Sequence, residues 1–467
     1  MVKKIGLSLI SLGLIFATLE IGAGFFHPQA TPTKFDQAYI PPFPAKDPDG
    51  LRIFVYGGST VQGLPEPKVG LVAQLDDQLH SVLGPTRDIE VYNLGWSGYN
   101  STMVRYLVNR TINEQPDLLI IDTGHNEFIY PQLDFYPLLK LSTTLGHRSN
   151  LFKLASSLFS RHNRSPSAEE PLEFRRPPHR LTWPYYPIKI WIFQRNLQAI
   201  VKLARYHHIP LILATPVSNV ADWPPVYQQV TTLSRPIPDN RNARLLYQQA
   251  QAASASGQIS LAQELFIKAK DWDLIPWRTS TAQNDFIRSF EDRSSVWVAD
   301  TDKELSARSP NQLIGFDFII DNVHPTKEGN YLIAQTILQL IKQQKIVKPD
   351  WWENTRPQVS LNDFLNRIKF SSQDEYRIYL STARYSLKNP FFHFSIAANY
   401  LKLAQKLNPR HWQPKALLAS IAFLTHRPDQ ARQLLYQAEQ LYVGHLQPKI
   451  VARYIPYLNR FYAPPDL

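Results

Sequence analysis

Cysteine is absent from the 467 residues. Its absence excludes disulfide bonds, thiolate metal sites, a cysteine nucleophile and lipid attachment to an N-terminal cysteine. It does not indicate a redox compartment, because a chain without thiols is compatible with both oxidising and reducing conditions. Recognisable nucleic-acid motifs are absent too, and the Lys and Arg residues behind the net charge of +11 are dispersed. No nucleic-acid partner is therefore predicted.

Three motifs of nucleotide and metal sites are also missing. The chain has no G-x-x-x-x-G-K-[ST], and its first glycine-rich turn, "VYGGSTVQG", is not G-x-G-x-x-G, so nucleotide binding is not favoured. It has no H-E-x-x-H. His125, Glu127, Asp321 and His324 are the candidate metal ligands, but their spacing is not that of a tight site. The sequence therefore predicts neither a cofactor nor a bound metal.

A long apolar run is present at the N-terminus. Two lysines precede residues 5–26, in which Glu20 is the only charge. The run is long enough to cross a hydrocarbon core of about 30 Å as a helix. Residues 1–27 are predicted to be an uncleaved membrane anchor, and the leading lysines predict an extracytoplasmic body. A cleaved signal peptide is the alternative, because small residues lie near the end of the run.

Residues 28–50, rich in proline and polar residues, are predicted to form an extended tether. Short apolar runs then alternate with helical patterns over residues 51–345, which predicts a three-layer α/β domain with a parallel sheet. The predicted strands are Leu51–Tyr56, Ile89–Asn93, Leu118–Thr123, 209–217 and 294–300. Ligands of such folds bind beyond the carboxyl ends of the strands.

Two insertions interrupt this alternation. Residues 130–187 are rich in aromatic and basic side chains. A lid, a membrane-facing surface, a groove for an anionic substrate and a solvated loop all remain open for this segment. Residues 240–293 are alanine-rich and predicted to be helical. Arg278 in this second insertion is more typical of a surface ion pair than of a substrate contact.

The C-terminal region, residues 355–467, contains an internal repeat. Four small or large apolar positions recur after 34 residues: Ala397, Leu401, Ala404 and Leu407 are followed by Ala431, Leu435, Ala438 and Leu441. The period resembles that of tetratricopeptide repeats, in which helix pairs stack. A helical region is therefore predicted, which either binds a protein partner or braces the preceding domain.

Four short motifs lie at or near the carboxyl ends of predicted strands. They are "YGGST", "NLGWSG", "DTGHNEF" and "DNVHPTKEG", which contain Ser59, Gly95, Asn126, Asp321 and His324. Their order resembles that of the SGNH (GDSL-like) hydrolases, a family named for a Ser, a Gly, an Asn and a His in four blocks. The resemblance covers residues 51–345 and implies a flavodoxin-like sheet with helical insertions.

The sequence departs from the family pattern at two positions. Gly58 stands where the G-D-S block has aspartate, and Glu127 stands where the G-x-N-D block has aspartate. Neither departure removes a proposed catalytic atom. Both are expected to change how Ser59 and Asn126 are held.

The resemblance implies a role for each motif in acyl transfer. Ser59 would be the nucleophile, His324 its base and Asp321 the group that orients the imidazole. The backbone N–H groups of Ser59 and Gly95 and the side-chain amide of Asn126 would form the oxyanion hole. Glycine at position 95 is expected to leave room for the substrate.

The expected function is a membrane-anchored serine esterase, an SGNH-type hydrolase. Its substrate would be an ester, with a glycan or lipid of the cell envelope as the class that membrane anchoring and basic charge favour. An acyltransferase that passes the acyl group to a surface polysaccharide is an alternative with the same site. A catalytically idle scaffold that binds a protein partner is the alternative from another class.

Overall fold

The computed structural model describes residues 16–21, 23, 35, 38, 40–129, 134–154, 185–226, 239–388 and 391–442. Most of the predicted anchor therefore lies outside the described residues, as do residues 155–184 of the first insertion and residues 443–467 of the predicted C-terminal region. Among the helices that are described, none combines the length and the apolar character needed to span a membrane.

Five parallel strands form one sheet in the described part of the chain. The strands are β1 (Leu51–Gly57), β2 (Ile89–Gly95), β3 (Leu118–Asp122), β4 (Leu211–Ala214) and β5 (Val296–Ala299). Their order is β2-β1-β3-β4-β5, with every neighbouring pair parallel. This is the flavodoxin-like order, whose direction of winding reverses beside β1. The predicted fold class and all five predicted strands are confirmed.

Helices cover both faces of the sheet. Those of the α/β domain are α1 (Ser59–Gln62), α2 (Leu71–Leu83), α3 (Ser101–Thr111), α4 (Tyr136–Arg148), α5 (Tyr185–Tyr206), α6 (Ala243–Ala255), α7 (Ile259–Asp271), α8 (Thr281–Arg288), α9 (Thr301–Arg308) and α10 (Lys327–Gln344). Short 3₁₀ helices cover Pro67–Val69, Asp239–Arg241, Pro310–Gln312 and Pro349–Trp352.

Alternation along β1 builds the two cores. Ile53 and Val55 pack with α2 and α10 on one face, whereas Phe54 and Tyr56 pack with α3 and α5 on the other. Successive side chains of a strand point to opposite faces, so a strand covered on both sides is largely apolar, and the one charge of β1, Arg52, is paired with Glu90. All seven residues of β1 are buried, in agreement with this requirement.

Both insertions are helical where they are described. The first contains α4 and a further helical stretch at residues 150–154. The second contains α6, α7 and α8, as predicted, and alanines on α6 and α7 allow these two helices to pack closely in a small core that also includes Val220 and Leu313. Neither insertion contributes a strand within the described residues.

Residues 40–50 of the predicted tether, together with Phe35 and Ala38, are described. Phe35 is buried and stacks on Tyr106, with ring centroids 4.1 Å apart. Phe43 packs edge-on against Tyr92 at 4.9 Å. This end of the predicted tether therefore contacts the α/β domain.

The described C-terminal region is helical, as predicted. Its helices are α11 (Leu361–Arg367), α12 (Ser372–Ser386), α13 (Phe394–Leu407), α14 (Trp412–Leu424) and α15 (Pro428–Leu441). Tyr376 and Tyr400 from these helices share one apolar core with Val69, Trp223 and Ile320 of the α/β domain. The tetratricopeptide-like assignment stays a prediction.

Candidate active site

The carboxyl edge of the sheet gathers the residues of the first three motifs. β1 lies between β2 and β3, so the chain segments that follow these three strands emerge side by side. Ser59 opens α1 directly after β1, Gly95 ends β2, and Asn126 follows β3 by four residues. Sequence reasoning placed all three at this edge because parallel strands align their carboxyl ends.

A chain of short hydrogen bonds links the predicted catalytic side chains. The Ser59 Oγ lies 2.8 Å from His324 Nε2, and His324 Nδ1 lies 2.7 Å from Asp321 Oδ2. All three residues are less than a tenth exposed. Residues separated by 265 positions in the sequence are thus in direct contact.

The carboxylate of Asp321 is oriented by its own loop. Its Oδ1 accepts the backbone N–H groups of Val323 and His324, at 2.9 and 2.8 Å. The other oxygen, Oδ2, is therefore turned toward His324 Nδ1, which donates to it. Because Nδ1 carries the proton, Nε2 is the acceptor for the Ser59 hydroxyl. The arrangement is that of a serine ready to lose its proton to an imidazole.

The three predicted oxyanion donors differ in the hydrogen bonds that they already make. Ser59 is the first residue of α1, where the backbone N–H groups have no partner within the helix. Asn126 Nδ2 donates one hydrogen to the Tyr99 carbonyl at 2.8 Å, and an amide nitrogen carries two. Gly95 N–H donates to Asn93 Oδ1 at 3.0 Å. The Gly95 N–H can donate to an oxyanion only when its hydrogen bond to Asn93 is broken.

The structure also gives a different reason for glycine at position 95. A Cβ built there would lie 2.6 Å from the Cβ of Val61 and 2.7 Å from the backbone nitrogen of Gln62. Both atoms belong to α1, which packs against the end of β2. The expected reason, room for the substrate, is therefore replaced by close packing between α1 and β2.

Glycine at position 58 has a direct structural cause. A Cβ there would lie 2.5 Å from Asn126 Nδ2, which is closer than real contacts allow. An aspartate, as in the G-D-S block, would collide with the amide that the third motif supplies. The Asn126 amide can therefore lie where it does only because position 58 has no side chain.

Glu127, the second departure, ties the Asn126 loop to α3. Its carboxylate accepts the backbone N–H of Ser101 at 2.7 Å and the Ser101 hydroxyl at 2.9 Å. Burial raises the pKa of Glu127 to about 7, and the bonds from Ser101 oppose that rise. A side chain one methylene longer than aspartate thereby reaches the N-terminal end of a neighbouring helix.

His125 is a neutral, structural imidazole. Burial lowers its pKa to about 3, and the neighbouring His324 acts in the same direction. The backbone N–H of Thr279 donates to His125 Nδ1 at 3.1 Å, so Nδ1 is the unprotonated nitrogen. Among the described residues, no group of three or more His, Asp or Glu side chains is arranged to hold a metal ion.

The expectation for Arg278 was wrong. Its guanidinium is buried, pairs with the buried Asp273 at 2.9 Å, and donates to the carbonyls of Asn219 and Trp223. Burial raises the pKa of Asp273 to about 6, against the opposing effect of Arg278. Arg278 therefore fixes the polypeptide that follows β4 rather than lying on the surface.

Two tyrosines of the C-terminal helices reach the catalytic loop, and sequence reasoning missed both. The ring of Tyr385 meets that of His324 edge-on, with centroids 5.7 Å apart. The Tyr400 hydroxyl donates to the Ile320 carbonyl at 2.7 Å, next to Asp321. Burial raises the pKa of Tyr385 well above its usual range. No sequence motif links these tyrosines to the loop; the only signal is that they are aromatic.

The fold and the site together define an α/β protein with a linked serine, histidine and aspartate at its carboxyl edge. No protein-family model matches the chain, and no curated protein matches it. Solved structures that match this chain include a GDSL-like lipase from Bacteroides thetaiotaomicron. It is 13% identical, with a TM-score of 0.33, and the match covers 64% of this chain and 92% of the lipase.

Two further structures are similar at the same level. A member of the lipolytic G-D-S-L family from Veillonella parvula is 12% identical, with a TM-score of 0.32, and covers 63% of this chain and 100% of its own. The acetylxylan esterase Axe2 from Geobacillus stearothermophilus is 14% identical, with a TM-score of 0.32, and covers 63% and 95%. At these scores the likenesses carry no argument about the activity of this chain.

Replacing Asn126 with alanine tests the side-chain oxyanion donor. For ester hydrolysis, we expect kcat to fall by about 10²–10³-fold with little change in KM, because the donor acts on charge that develops only in the transition state. Steady-state kinetics on a short-chain ester measure both constants. Asn109→Ala, an exposed amide on α3, is the matched control. A kcat within about twofold of the parent would remove Asn126 from the oxyanion hole.

Proposed function

We propose that this chain is a serine esterase of the SGNH type that cleaves a carboxylic ester through an acyl-enzyme. The observation that carries the proposal is the continuous contact from Ser59 through His324 to Asp321, at 2.8 and 2.7 Å. A buried serine hydroxyl with an imidazole acceptor and an oriented carboxylate is the arrangement that nucleophilic acyl transfer requires.

In the first half-reaction, the Ser59 oxygen attacks the carbonyl carbon of the ester while its proton passes to His324 Nε2. The tetrahedral oxyanion is stabilised by the Ser59 N–H and the free hydrogen of the Asn126 amide. Collapse of this intermediate breaks the bond to the alcohol oxygen, which takes the proton from Nε2. The acyl group is left as an ester on Ser59.

In the second half-reaction, water replaces the alcohol. His324 Nε2 takes a proton from the water as its oxygen attacks the acyl carbon. The intermediate expels the Ser59 oxygen, which recovers the proton, and the free acid leaves. Throughout, Asp321 keeps the proton-bearing Nδ1 in place and stabilises the imidazolium that forms in both halves.

We also propose that the enzyme is anchored to the cell membrane with its catalytic domain on the extracytoplasmic side. The support is the apolar run at residues 5–26, in which Glu20 is the only charge, behind two lysines. An ester on a glycan or lipid of the envelope is the substrate class that fits this location and the net charge of +11.

Labelling with a fluorophosphonate tests the nucleophile directly. The full chain in mild detergent is expected to take up one probe per molecule, with the adduct on Ser59 by peptide mass analysis, because the probe reacts only with an activated hydroxyl. Ser59→Ala is expected to take up none. Equal labelling of the two proteins, or no labelling of the parent, would contradict the proposal and favour a catalytically idle scaffold.

The same preparation separates hydrolysis from transfer. A panel of short-chain esters is offered with and without an excess of a soluble glucan, and both free acid and acylated glucan are quantified. Free acid in equal amounts with and without the glucan is the expected result. Acylated glucan formed at the expense of free acid would contradict hydrolysis and identify an acyltransferase.

A further inference from the structure

The only charge of the apolar N-terminal run is held by the first insertion. The Glu20 carboxylate accepts the Ser149 hydroxyl at 2.8 Å, the backbone N–H of Leu151 at 3.1 Å and the backbone N–H of Asn150. These donors open the helical stretch at residues 150–154, just after α4. The first N–H groups of a helix have no partner inside it, so a carboxylate there is favoured. Glu20 thus fixes the apolar run to the body.

The helix beside this contact exposes apolar side chains on its outer side. Leu138 and Leu141 of α4 are 63% and 54% exposed, while Tyr136 on its inner side is buried. Phe16, Leu19 and Ile21 of the N-terminal run are likewise more than half exposed. Apolar side chains on both sides of a helix are typical of one that has a second apolar neighbour.

A tryptophan extends this surface. Trp191 of α5 is 46% exposed and stacks on Phe135, the residue directly before α4, with ring centroids 5.5 Å apart. Arg195 lies over the same ring at 5.8 Å. Tryptophan and basic side chains beside leucines are typical of surfaces at the boundary between lipid and water.

We propose that Leu138, Leu141 and Trp191 form a membrane-facing surface that lies in the outer boundary of the lipid bilayer. The proposal rests on the proposed membrane anchor. Glu20 is six residues before the end of the apolar run, which is about 9 Å along a helix. The residues that bind Glu20 must therefore lie at headgroup depth, and the C-terminal end of α4, one residue before Ser149, is brought to the same level.

Of the interpretations that the sequence leaves open for the first insertion, this arrangement favours the membrane-facing surface for its described part. A second copy of the chain is the competing occupant of the surface. The bilayer is favoured because Glu20 joins the run that is itself predicted to enter the membrane to the segment that directly follows α4. Lys140 and Arg148, both exposed on α4, add the positive charge that anionic headgroups attract.

The lack of cysteine makes the test specific, because one introduced thiol is the only site for a label. Leu138→Cys carries an environment-sensitive fluorophore (NBD). Tyr436→Cys on α15, also 63% exposed, is the matched control. The full chain is reconstituted in vesicles of phosphatidylcholine and phosphatidylglycerol at 3:1, with or without doxyl-labelled lipid. We expect blue-shifted emission and at least about twofold quenching by doxyl groups at position 138, and neither at 436.

Flotation of the vesicles is measured on the same samples, so that failure of the anchor and failure of the surface are distinguishable. A chain that floats but has water-like emission at position 138 overturns the membrane-facing surface alone. A chain that does not float overturns both the anchor and the surface. A blue shift that grows with protein density and is not quenched by doxyl groups assigns the surface to a second copy, which also overturns the proposal.

Glu20→Gln provides a second test on the Leu138→Cys background. Loss of the carboxylate is expected to reduce the doxyl quenching while the chain still floats, because the run stays in the bilayer but no longer fixes α4. Unchanged quenching would show that Glu20 does not set the position of α4 and would overturn that step. Hydrolysis of a soluble short-chain ester is followed in parallel and is expected not to change, since Leu138 and Glu20 lie outside the catalytic residues.

Discussion

Replacing Ser59 with alanine is expected to lower kcat/KM for a short-chain ester by on the order of 10⁴–10⁶-fold. The substitution removes the attacking oxygen, so no acyl-enzyme can form. The Asn126 amide and the Ser59 backbone N–H remain, and they leave a small residual rate through direct attack by water. Progress curves at high enzyme concentration, with free acid as the product measured, quantify the loss.

The loss must be separated from a change in folding. Alanine leaves His324 Nε2 without its hydroxyl partner, which costs about 1–3 kcal/mol of stability at most. Circular dichroism and thermal unfolding therefore accompany the kinetics. Ser97→Ala, at an exposed serine on the loop after β2, is the matched control and is expected to retain full activity. Comparable rates for Ser59→Ala and the parent would place the nucleophile elsewhere.

Asp321→Asn is expected to lower kcat by about 10³–10⁴-fold, with KM nearly unchanged. Asparagine keeps an oxygen for the backbone N–H groups of Val323 and His324, so the loop geometry is preserved. Its amide nitrogen then replaces the oxygen that faces His324 Nδ1. A donor at that position favours the tautomer with its proton on Nε2, which cannot accept the proton of Ser59.

The matched control is Asp317→Asn, an exposed aspartate in the same loop. Asp317 Oδ1 accepts the Gly315 N–H, and the asparagine oxygen can accept the same bond, so activity and melting temperature are expected to stay at parent values. Steady-state kinetics on the two variants show how much kcat changes when each negative charge is removed. A loss below about tenfold for Asp321→Asn would mean that the carboxylate does not control the His324 tautomer.

Much of the fold could be predicted because buried parallel strands have a simple sequence pattern. Leu51–Tyr56 is an apolar run, apart from Arg52, that ends at glycine, and both faces of β1 proved to be covered. The contact between Ser59 and His324 followed from the same reasoning, since residues beyond the carboxyl ends of parallel strands share one edge. Short motifs at that edge are therefore informative even when each alone is weak.

The parts that could not be predicted depend on contacts between distant segments that have no periodic pattern. Tyr385 packs against His324 from a C-terminal helix, and the core that Tyr385 shares with Ile320 holds it there.

 Tyr385 and His324 are 61 positions apart in the sequence, and only the folded core brings their rings together. Arg278 was expected on the surface because its burial depends on Asp273 and on two carbonyls of another loop. The bond from Gly95 N–H to Asn93 Oδ1 depends in the same way on a local turn that no spacing rule specifies.

The core that Tyr400 and Ile320 share has a consequence for any rearrangement of the chain. A helical domain that is joined only by a linker shares no core with its neighbour, so it can be removed or replaced without disturbing that neighbour. Here such a removal would strip the support from the loop that carries Asp321 and His324, and it would lay bare the apolar side of Trp223. The C-terminal helices and the sheet edge therefore form one structural unit, and the helices cannot be removed without disturbing the residues that support Asp321 and His324.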